Sequence, residues 1–313
     1  MTADLPSPEK PLRIGTRGSP LALAQAEETK ARLMAAHDLP AEAFEIVVIK
    51  TTGDAVQDRA LSEIGGKGLF TKEIEEGLLG GSIDIAVHSM KDMPTVLPDG
   101  LAITALLPRE DVRDAFISPR HAGIAALPEG AVVGTSSLRR RAQLLHRRPD
   151  LKVVEFRGNV QTRLRKLGDG VAEATFLACA GLNRLGMNGE MRAAIEPEEM
   201  LPAVAQGAIG IESRKDDTRI LSLLSPLHCG ETGSRLAAER AFLAGLDGSC
   251  RTPIGGLAVL EGDALWLRGE IIRPDGSERI VTERRGTLSD AAAMGSDAAA
   301  ELRGRGGDGF FDA

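Results

Sequence analysis

Two hydrophobic periods take turns along the chain. Leu12-Arg13-Ile14 reads as a short strand, and Ser19-Pro20 then supplies an N-cap and an N1 proline for a helix toward Ala36. Leu23, Ala26 and Leu33 are spaced to share one face of it. Phe44 to Ile49 alternates and is rich in β-branched residues, which predicts a second strand. Thr51 to Gly68, with Gly65-Gly66 and Gly68, is expected to be a mobile loop. A helix over Thr71 to Leu79 and a strand over Ile83 to Val87 follow.

The same rhythm restarts near Asp111 to Phe116. Ala131 to Val133 predicts a strand, and Thr135-Ser136-Ser137 caps a helix running to Arg148, which Pro149 stops. A strand over Leu151 to Phe156, a helix over Val160 to Leu167 ended by Gly168, and a strand over Thr175 to Ala180 complete it. Such alternation predicts α/β units with parallel-dominated sheets and right-handed crossovers. The pattern then changes. A helix over Ser234 to Leu246 is followed by strands over Ile254 to Leu260, Leu265 to Ile272 and Arg279 to Glu283, with Pro274-Asp275-Gly276 as a hairpin turn. This is an α+β region with an antiparallel sheet, and the glycine-rich last ten residues are expected to be loose.

Length agrees with several units, because 313 residues exceed what one core usually serves. No apolar run is long enough to span a bilayer, and Met1 to Lys10 lacks the core of a signal peptide. Three unevenly spaced cysteines argue against a disulfide framework, and five scattered histidines without HExxH or CxxC against a metal site. These features suggest a cytoplasmic protein. Net charge is −7, which opposes general affinity for nucleic acid or anionic lipid. Yet Arg139 to Lys166 holds ten basic residues against Asp150 and Glu155, and a basic segment in an acidic protein points to a defined anion site.

In open sheets, ligands sit beyond the carboxyl ends of the parallel strands. Those ends read Thr16-Arg17-Gly18-Ser19, His88-Ser89-Met90-Lys91-Asp92, Gly134-Thr135-Ser136-Ser137-Leu138-Arg139-Arg140, Arg157-Gly158-Asn159 and Gly181-Leu182-Asn183-Arg184. Arginine forks, hydroxyls and helix N-termini all suit carboxylates or phosphates. Any one of these arginines alone also reads as a solvated surface charge; five strand ends together read as a site. Arg147 and Arg148 are explained by a helix C-terminus, and Arg141 and Lys166 by an exposed face. Asp92, the one acid among these loops, either balances a neighbouring cation or faces the ligand as a catalytic carboxylate. Cys179 reads as a small residue inside an apolar strand. Cys250, in the polar turn Asp247 to Pro253 beside Arg251, is either idle or a reactive thiolate.

Taken together, these segments resemble porphobilinogen deaminases (hydroxymethylbilane synthases). The resemblance is carried by Arg13 to Ala22, Gly65-Gly66-Lys67-Gly68-Leu69-Phe70, Val87 to Asp92, Gly134 to Arg140, Arg157 to Val160 and Leu201 to Ala208, and it spans about residues 11 to 285. It implies two lobes like those of type II periplasmic binding proteins plus a third domain. Domain 1 would cover 10–108 and 206–226, domain 2 111–203, and domain 3 230–313. It further implies a dipyrromethane cofactor, thioether-linked to Cys250, on which four porphobilinogen molecules condense with loss of ammonia to give hydroxymethylbilane. Asp92 would then bind pyrrole N–H groups and stabilise cationic intermediates. Arg17, Ser19, Arg157 and Arg163 would hold substrate, with Gln25, Lys67 and Phe70 nearby. Lys91, Ser89, Thr135, Ser137, Arg139, Arg140, Arg163 and Arg184 would hold cofactor or chain carboxylates. No metal is implied, and a monomer is. Glu63 stands where some relatives carry lysine, and Ser249 where glycine is frequent.

Two other readings compete. A non-catalytic anion sensor or transport receptor would use two lobes but need neither Asp92, Cys250 nor a third domain. A nucleic-acid binder would use the basic segment, but 3% aromatic residues and no tyrosine leave few stacking platforms.

Overall fold

A computed structural model describes residues 5–55, 71–249, 252–307 and 309–312. The expected loop beyond residue 55, with Glu63, Lys67 and Phe70, and the cysteine at 250 with Arg251 lie outside the described residues. The chain forms two compact units. One gathers the described residues up to Arg109 together with Ala208–Gly233; the other holds the described residues of Glu110–Gly207 and from Ser234 onward.

The first unit contains β1 (Leu12–Arg17), α1 (Pro20–His37), β2 (Phe44–Ile49), a short α2 (Thr52–Ala55), α3 (Lys72–Leu79), β3 (Ile85–Ser89) and β4 (Leu101–Leu106). The second continues with β5 (Asp114–Ile117), β6 (Val132–Gly134), α4 (Leu138–Arg147), β7 (Lys152–Val154), α5 (Val160–Gly168), β8 (Ala174–Ala178), α6 (Cys179–Arg184) and β9 (Ala193–Ile195). The chain then returns to the first unit as β10 (Ile209–Arg214) and α7 (Thr218–Leu224). Helix α8 (Gly230–Gly245), strands β11 (Ile254–Glu261), β12 (Ala264–Ile272) and β13 (Arg279–Thr287), and helix α9 (Ala291–Gly306) follow, all but the first turn of α8 in the second unit.

The two five-stranded sheets are wired alike. Their orders are β2-β1-β3-β10-β4 and β7-β6-β8-β5-β9, so each has a parallel trio flanked by one strand of opposite direction. In the first sheet the reversed strand is β10, antiparallel to β3 and β4. In the second it is β5, antiparallel to β8 and β9. Two α/β lobes plus a C-terminal antiparallel sheet agree with the expected class. Parallel pairing is confined to the trios, because the strands entering or returning from the other unit arrive in reverse.

Packing explains the elements. Ser19 caps α1 by accepting from Ala22 N at 3.3 Å, and Leu12, Ile14, Phe44, Ile85, Val87, Ile209 and Ile211 bury against Ala26 and Leu33. The buried face of α1 carries Gln25 and Thr29 rather than the expected Leu23. On β5 successive side chains serve opposite faces, Phe116 in one core and Ala115 with Ile117 in the other. Each fully buried Phe or Leu of this kind contributes about 1.5–3 kcal/mol. Cys179 begins α6 rather than lying inside a strand, and it is fully buried.

In the third sheet Gly256 and Gly269 face each other in register, and the ring of Phe242 from α8 fills the space. A Cβ at Gly269 would stand 2.5 Å from that ring, and one at Gly256 would stand 2.9 Å from the Val204 methyl, so glycine suits both positions. The buried Glu239 of α8 joins this sheet to the segment before β10, accepting from Ala205 N at 2.6 Å and Ala258 N at 2.8 Å. The tail is packed rather than loose. Phe310 is buried, meets Phe311 edge-on at 5.5 Å, and lies 4.9 Å beneath the Arg273 guanidinium.

Candidate active site

In the first unit the carboxyl ends of β1 and β3 build a small polar cavity. The buried Thr16 hydroxyl donates to Ala22 O at 3.2 Å, which fixes the first turn of α1 against the end of β1 and sets Arg17 and Ser19 at the rim. From α1, Gln25 Nε2 lies 2.8 Å from the Ser89 hydroxyl, which donates back to Gln25 Oε1 at 3.0 Å. Beyond Ser89 the chain makes one 3-10 turn, Met90–Asp92, tied down by Met90 N donating to Ala208 O. The resulting cavity, about 70 Å³, is lined by Arg17, Ser19, Gln25, Ser89 and Asp92, with Thr71 and His88 behind them. Five residues singled out from sequence therefore meet in one place. Lys91 is half-buried beside it.

The chemistry of this donor set is specific. Asp92 is an acceptor surrounded by an arginine, a hydroxyl and an amide, and among the described residues no donor is bonded to its carboxylate. That fits a ligand bearing both N–H groups and carboxylates.

In the second unit the strand ends start helices. Ser137 caps α4, accepting from Arg140 N at 3.4 Å, and Thr135 Oγ1 accepts from Ser137 N at 3.2 Å. Asn159 caps α5 through Thr162 N at 2.9 Å. Arg163 Nε donates to Gly158 O at 2.9 Å, and Arg184 Nη2 to Gly207 O at 3.1 Å, so each guanidinium is oriented by a backbone carbonyl. Lys166, expected on an exposed face, is half-buried instead. Its ammonium donates to Arg157 O at 3.0 Å and lies 5.8 Å from the Phe156 ring centroid, fixing the backbone that carries Arg157. Arg148, explained by the helix dipole alone, also pairs with Asp150 and donates to Ile124 O and Leu127 O.

Arg139 and Arg140, which the resemblance assigns to cofactor or chain carboxylates, are both buried and face Asp114. Arg139 Nη1 is 2.8 Å from Asp114 Oδ2 and 2.9 Å from Leu201 O. Arg140 Nε and Nη2 donate to Asp114 Oδ1 at 3.1 and 2.7 Å, and its Nη1 to Phe176 O. Gln206 Nε2 adds a bond to the same oxygen at 2.9 Å. Burial by itself would raise the Asp114 carboxyl, but the two guanidiniums outweigh it and hold the group well below the usual carboxylate range. Two cations against one anion leave this cluster net positive, and the Nε of Arg139 is buried without a partner among the described residues.

Sequence reasoning missed Asp114, which sits inside an apolar strand and is revealed only by Arg139, 25 positions away. It placed His88 in the segment at the end of β3 but missed its buried partner Glu212, 124 positions away.

The family model for the porphobilinogen deaminase dipyrromethane cofactor binding domain matches residues 12–222, and that for the porphobilinogen deaminase C-terminal domain matches 234–304. A porphobilinogen deaminase from Paracoccus denitrificans is 69% identical over 308 residues, covering 98% of each chain. Another from Nitrobacter hamburgensis is 60% identical over 298 residues, 95% of this chain and 94% of the relative. Among solved structures, a periplasmic substrate-binding protein of an ABC transporter from Coxiella burnetii aligns at TM-score 0.42 and 15% identity, covering 73% of this chain and 96% of its own. With both family models matched in order and a 69% identical relative covered nearly end to end, the chain belongs to the porphobilinogen deaminase family.

Proposed function

We propose that this chain is a hydroxymethylbilane-forming transferase of tetrapyrrole biosynthesis, joining four porphobilinogen molecules head to tail with release of ammonia. The observation that carries this reading is the Asp92 cavity, an acceptor carboxylate ringed by Arg17, Ser19, Gln25 and Ser89. Porphobilinogen brings an N–H to the carboxylate and acetate and propionate groups to the cations. A dipyrromethane, thioether-linked to Cys250, supplies the free pyrrole carbon on which the chain grows.

The protein's own residues then have distinct tasks. Asp92 accepts pyrrole N–H bonds and stabilises positive charge as the amine departs. Arg17, Arg157 and Arg163 hold substrate carboxylates, and Lys91, Thr135, Ser137 and Arg184 those of the cofactor and growing chain. Ser89 and Gln25 act as a mutually oriented pair at the cavity wall. Lys67 and Phe70 contribute near the site by family position. Arg139 and Arg140 act mainly as a fixed positive field around Asp114, with the Arg139 Nε as the donor left for a ligand oxygen. Each added ring brings two carboxylates, so a field of cations serves a growing polyanion better than one tailored fork.

The sensor reading has no use for residues 234–304, which match a deaminase domain. We further infer a monomeric, cytoplasmic enzyme without nucleic-acid or membrane partners. Net charge of −7 opposes affinity for nucleic acid and anionic lipid, and among the described residues no helix is long and apolar enough to cross a membrane; the monomer and the compartment rest on the family.

Intact-mass analysis with a porphobilinogen-consumption assay tests the proposal. Wild-type protein should carry a dipyrromethane adduct that is absent in Cys250→Ser. Asp92→Asn should keep the adduct and lose turnover by about a hundredfold or more. An unmodified, active wild type, or near-normal Asp92→Asn rates, would overturn it.

A further inference from the structure

One hydroxyl on the wall of the Asp92 cavity has no task in the chemistry above. Thr71, only 2% exposed, lines that cavity from the start of α3. A threonine just before a helix ordinarily turns its oxygen back onto the first turn. Thr71 does not: it holds the N-cap position of α3 with no side-chain cap bond, at φ −125° and ψ −27°. Its Oγ1 is buried and has no hydrogen-bond partner among the described residues. Its carbonyl is engaged normally, accepting from Glu75 N at 2.8 Å. Buried hydroxyls are almost always bonded, so this one is suited to a partner from outside the chain.

The other side chains of the cavity show which partner fits. Gln25 and Ser89 are engaged with each other, Ser19 Oγ accepts the cap bond of α1, and His88 faces Glu212. Arg17 can only donate. Asp92 and Thr71 are then the acceptors not already engaged within the protein. One turn further along α3 stands Glu75, also buried. Burial pushes its carboxyl up, and the Thr71 hydroxyl beside it opposes that. An acid on that side draws the hydroxyl proton toward itself and leaves an oxygen lone pair for an N–H donor in the cavity.

Porphobilinogen carries a pyrrole N–H, which Asp92 accepts, and two carboxylates, which the arginines hold. Its aminomethyl group, an ammonium at neutral pH, has no residue assigned to it. We propose that the Thr71 hydroxyl accepts an N–H of that group and so orients the leaving nitrogen, which makes Thr71 a further substrate-binding residue. This rests on the reading of the cavity as the porphobilinogen site. When the C–N bond breaks, its electron pair stays on nitrogen, ammonia leaves neutral, and the positive charge remains on the pyrrole unit that Asp92 faces. A neutral acceptor suits the nitrogen at this point. A carboxylate in its place would favour the charged ammonium over the departing ammonia.

Thr71→Val removes the hydroxyl and keeps the shape, and Thr71→Ser restores it. Both are compared with wild-type holoenzyme at matched adduct mass, using porphobilinogen and a competitive analogue whose aminomethyl group is replaced by methyl. Thr71→Val should raise KM for porphobilinogen about tenfold while changing the inhibition constant of the methyl analogue by less than about twofold. Thr71→Ser should bring KM back to within about threefold of wild type. The melting temperature of Thr71→Val should not fall, because its hydroxyl has no bond to lose in the ligand-free fold. An unchanged KM, or equal weakening of porphobilinogen and the methyl analogue, would overturn the inference. So would a Thr71→Val protein that melts well below wild type or fails to fold, since the hydroxyl would then be a structural bond. Failure of the proposed function would appear instead as wild-type protein that neither consumes porphobilinogen nor binds the methyl analogue.

Discussion

Replacing Asp114 by asparagine changes one oxygen for an amide, yet it should be among the most damaging substitutions in the second unit. Four side-chain donors converge on this carboxylate, from Arg139, Arg140 and Gln206. An asparagine keeps one acceptor oxygen and turns a donor toward a donor. It also leaves two guanidiniums, 4% and 5% exposed, without their counter-ion. Breaking a buried pair from one side costs about 3–5 kcal/mol. For a unit of this size each kcal/mol moves the melting temperature by roughly 2–4 °C, so a fall on the order of 10 °C is expected. The assay is a calorimetric melt at pH 7.5 on preparations matched for adduct mass, since a bound group stabilises by itself. The pH dependence has a defined sign. The folded pKa of Asp114 is depressed, so its contribution is present above the unfolded value of about 3.9 and lost as pH falls through the folded one. The gap between wild type and variant should therefore narrow below about pH 4. A gap under about 2 °C at pH 7.5 would refute the reasoning. So would a triple variant, Asp114→Leu with Arg139→Met and Arg140→Met, that is no more stable than Asp114→Asn, because removing all three charges should recover much of the loss.

Other outcomes follow from single sites. Gly207→Ala should fail to accumulate as folded protein: Gly207 has φ +87°, and an added Cβ would meet Glu110 O at 2.5 Å; soluble yield and melts near wild type would refute this. Cys179, whose thiol burial pushes up to about 12, should resist alkylation at pH 8 in native protein and react on unfolding, as peptide mapping can show. Glu239→Gln should lower stability by about 1–3 kcal/mol in urea titrations, since one of two backbone N–H groups loses its acceptor; an unchanged midpoint with unchanged slope would count against it.

Where local chemistry decides structure, the elements are legible from the residues. Ser19-Pro20, Ser137 and Asn159 cap the helices they announce, and β2 and β11 to β13 lie where alternation places them. Other elements depend on partners far along the chain. Leu101–Leu106 has the composition of a helix and becomes β4 because β10 pairs with it. The direction of β5 and β10 is set by which unit the chain is leaving, information no local period contains. Helix α9 is alanine-rich with few large apolar residues, so its packing on β12 and β13 leaves little periodic trace. The site divides in the same way. Arg17, Ser19, Gln25, Ser89 and Asp92 belong to strand ends and are readable, whereas the roles of Arg139 and Arg140 turn on Asp114, whose charge inside a buried strand makes sense only once its partners are seen.

The interleaved course of the chain has a consequence for biogenesis. The first sheet lacks its fourth neighbour until β10 is made, about a hundred residues after β4. At typical synthesis rates of about 5–20 residues per second, that is a wait of roughly 5–20 s, during which β3 and β4 have no strand between them. The second unit's five-stranded sheet, drawn from one contiguous stretch, has no such wait. A nascent chain halted before residue 209 should thus protect the second sheet from protease while the first remains cleavable, and the wait for β10 is the interval in which a holdase would find its binding site.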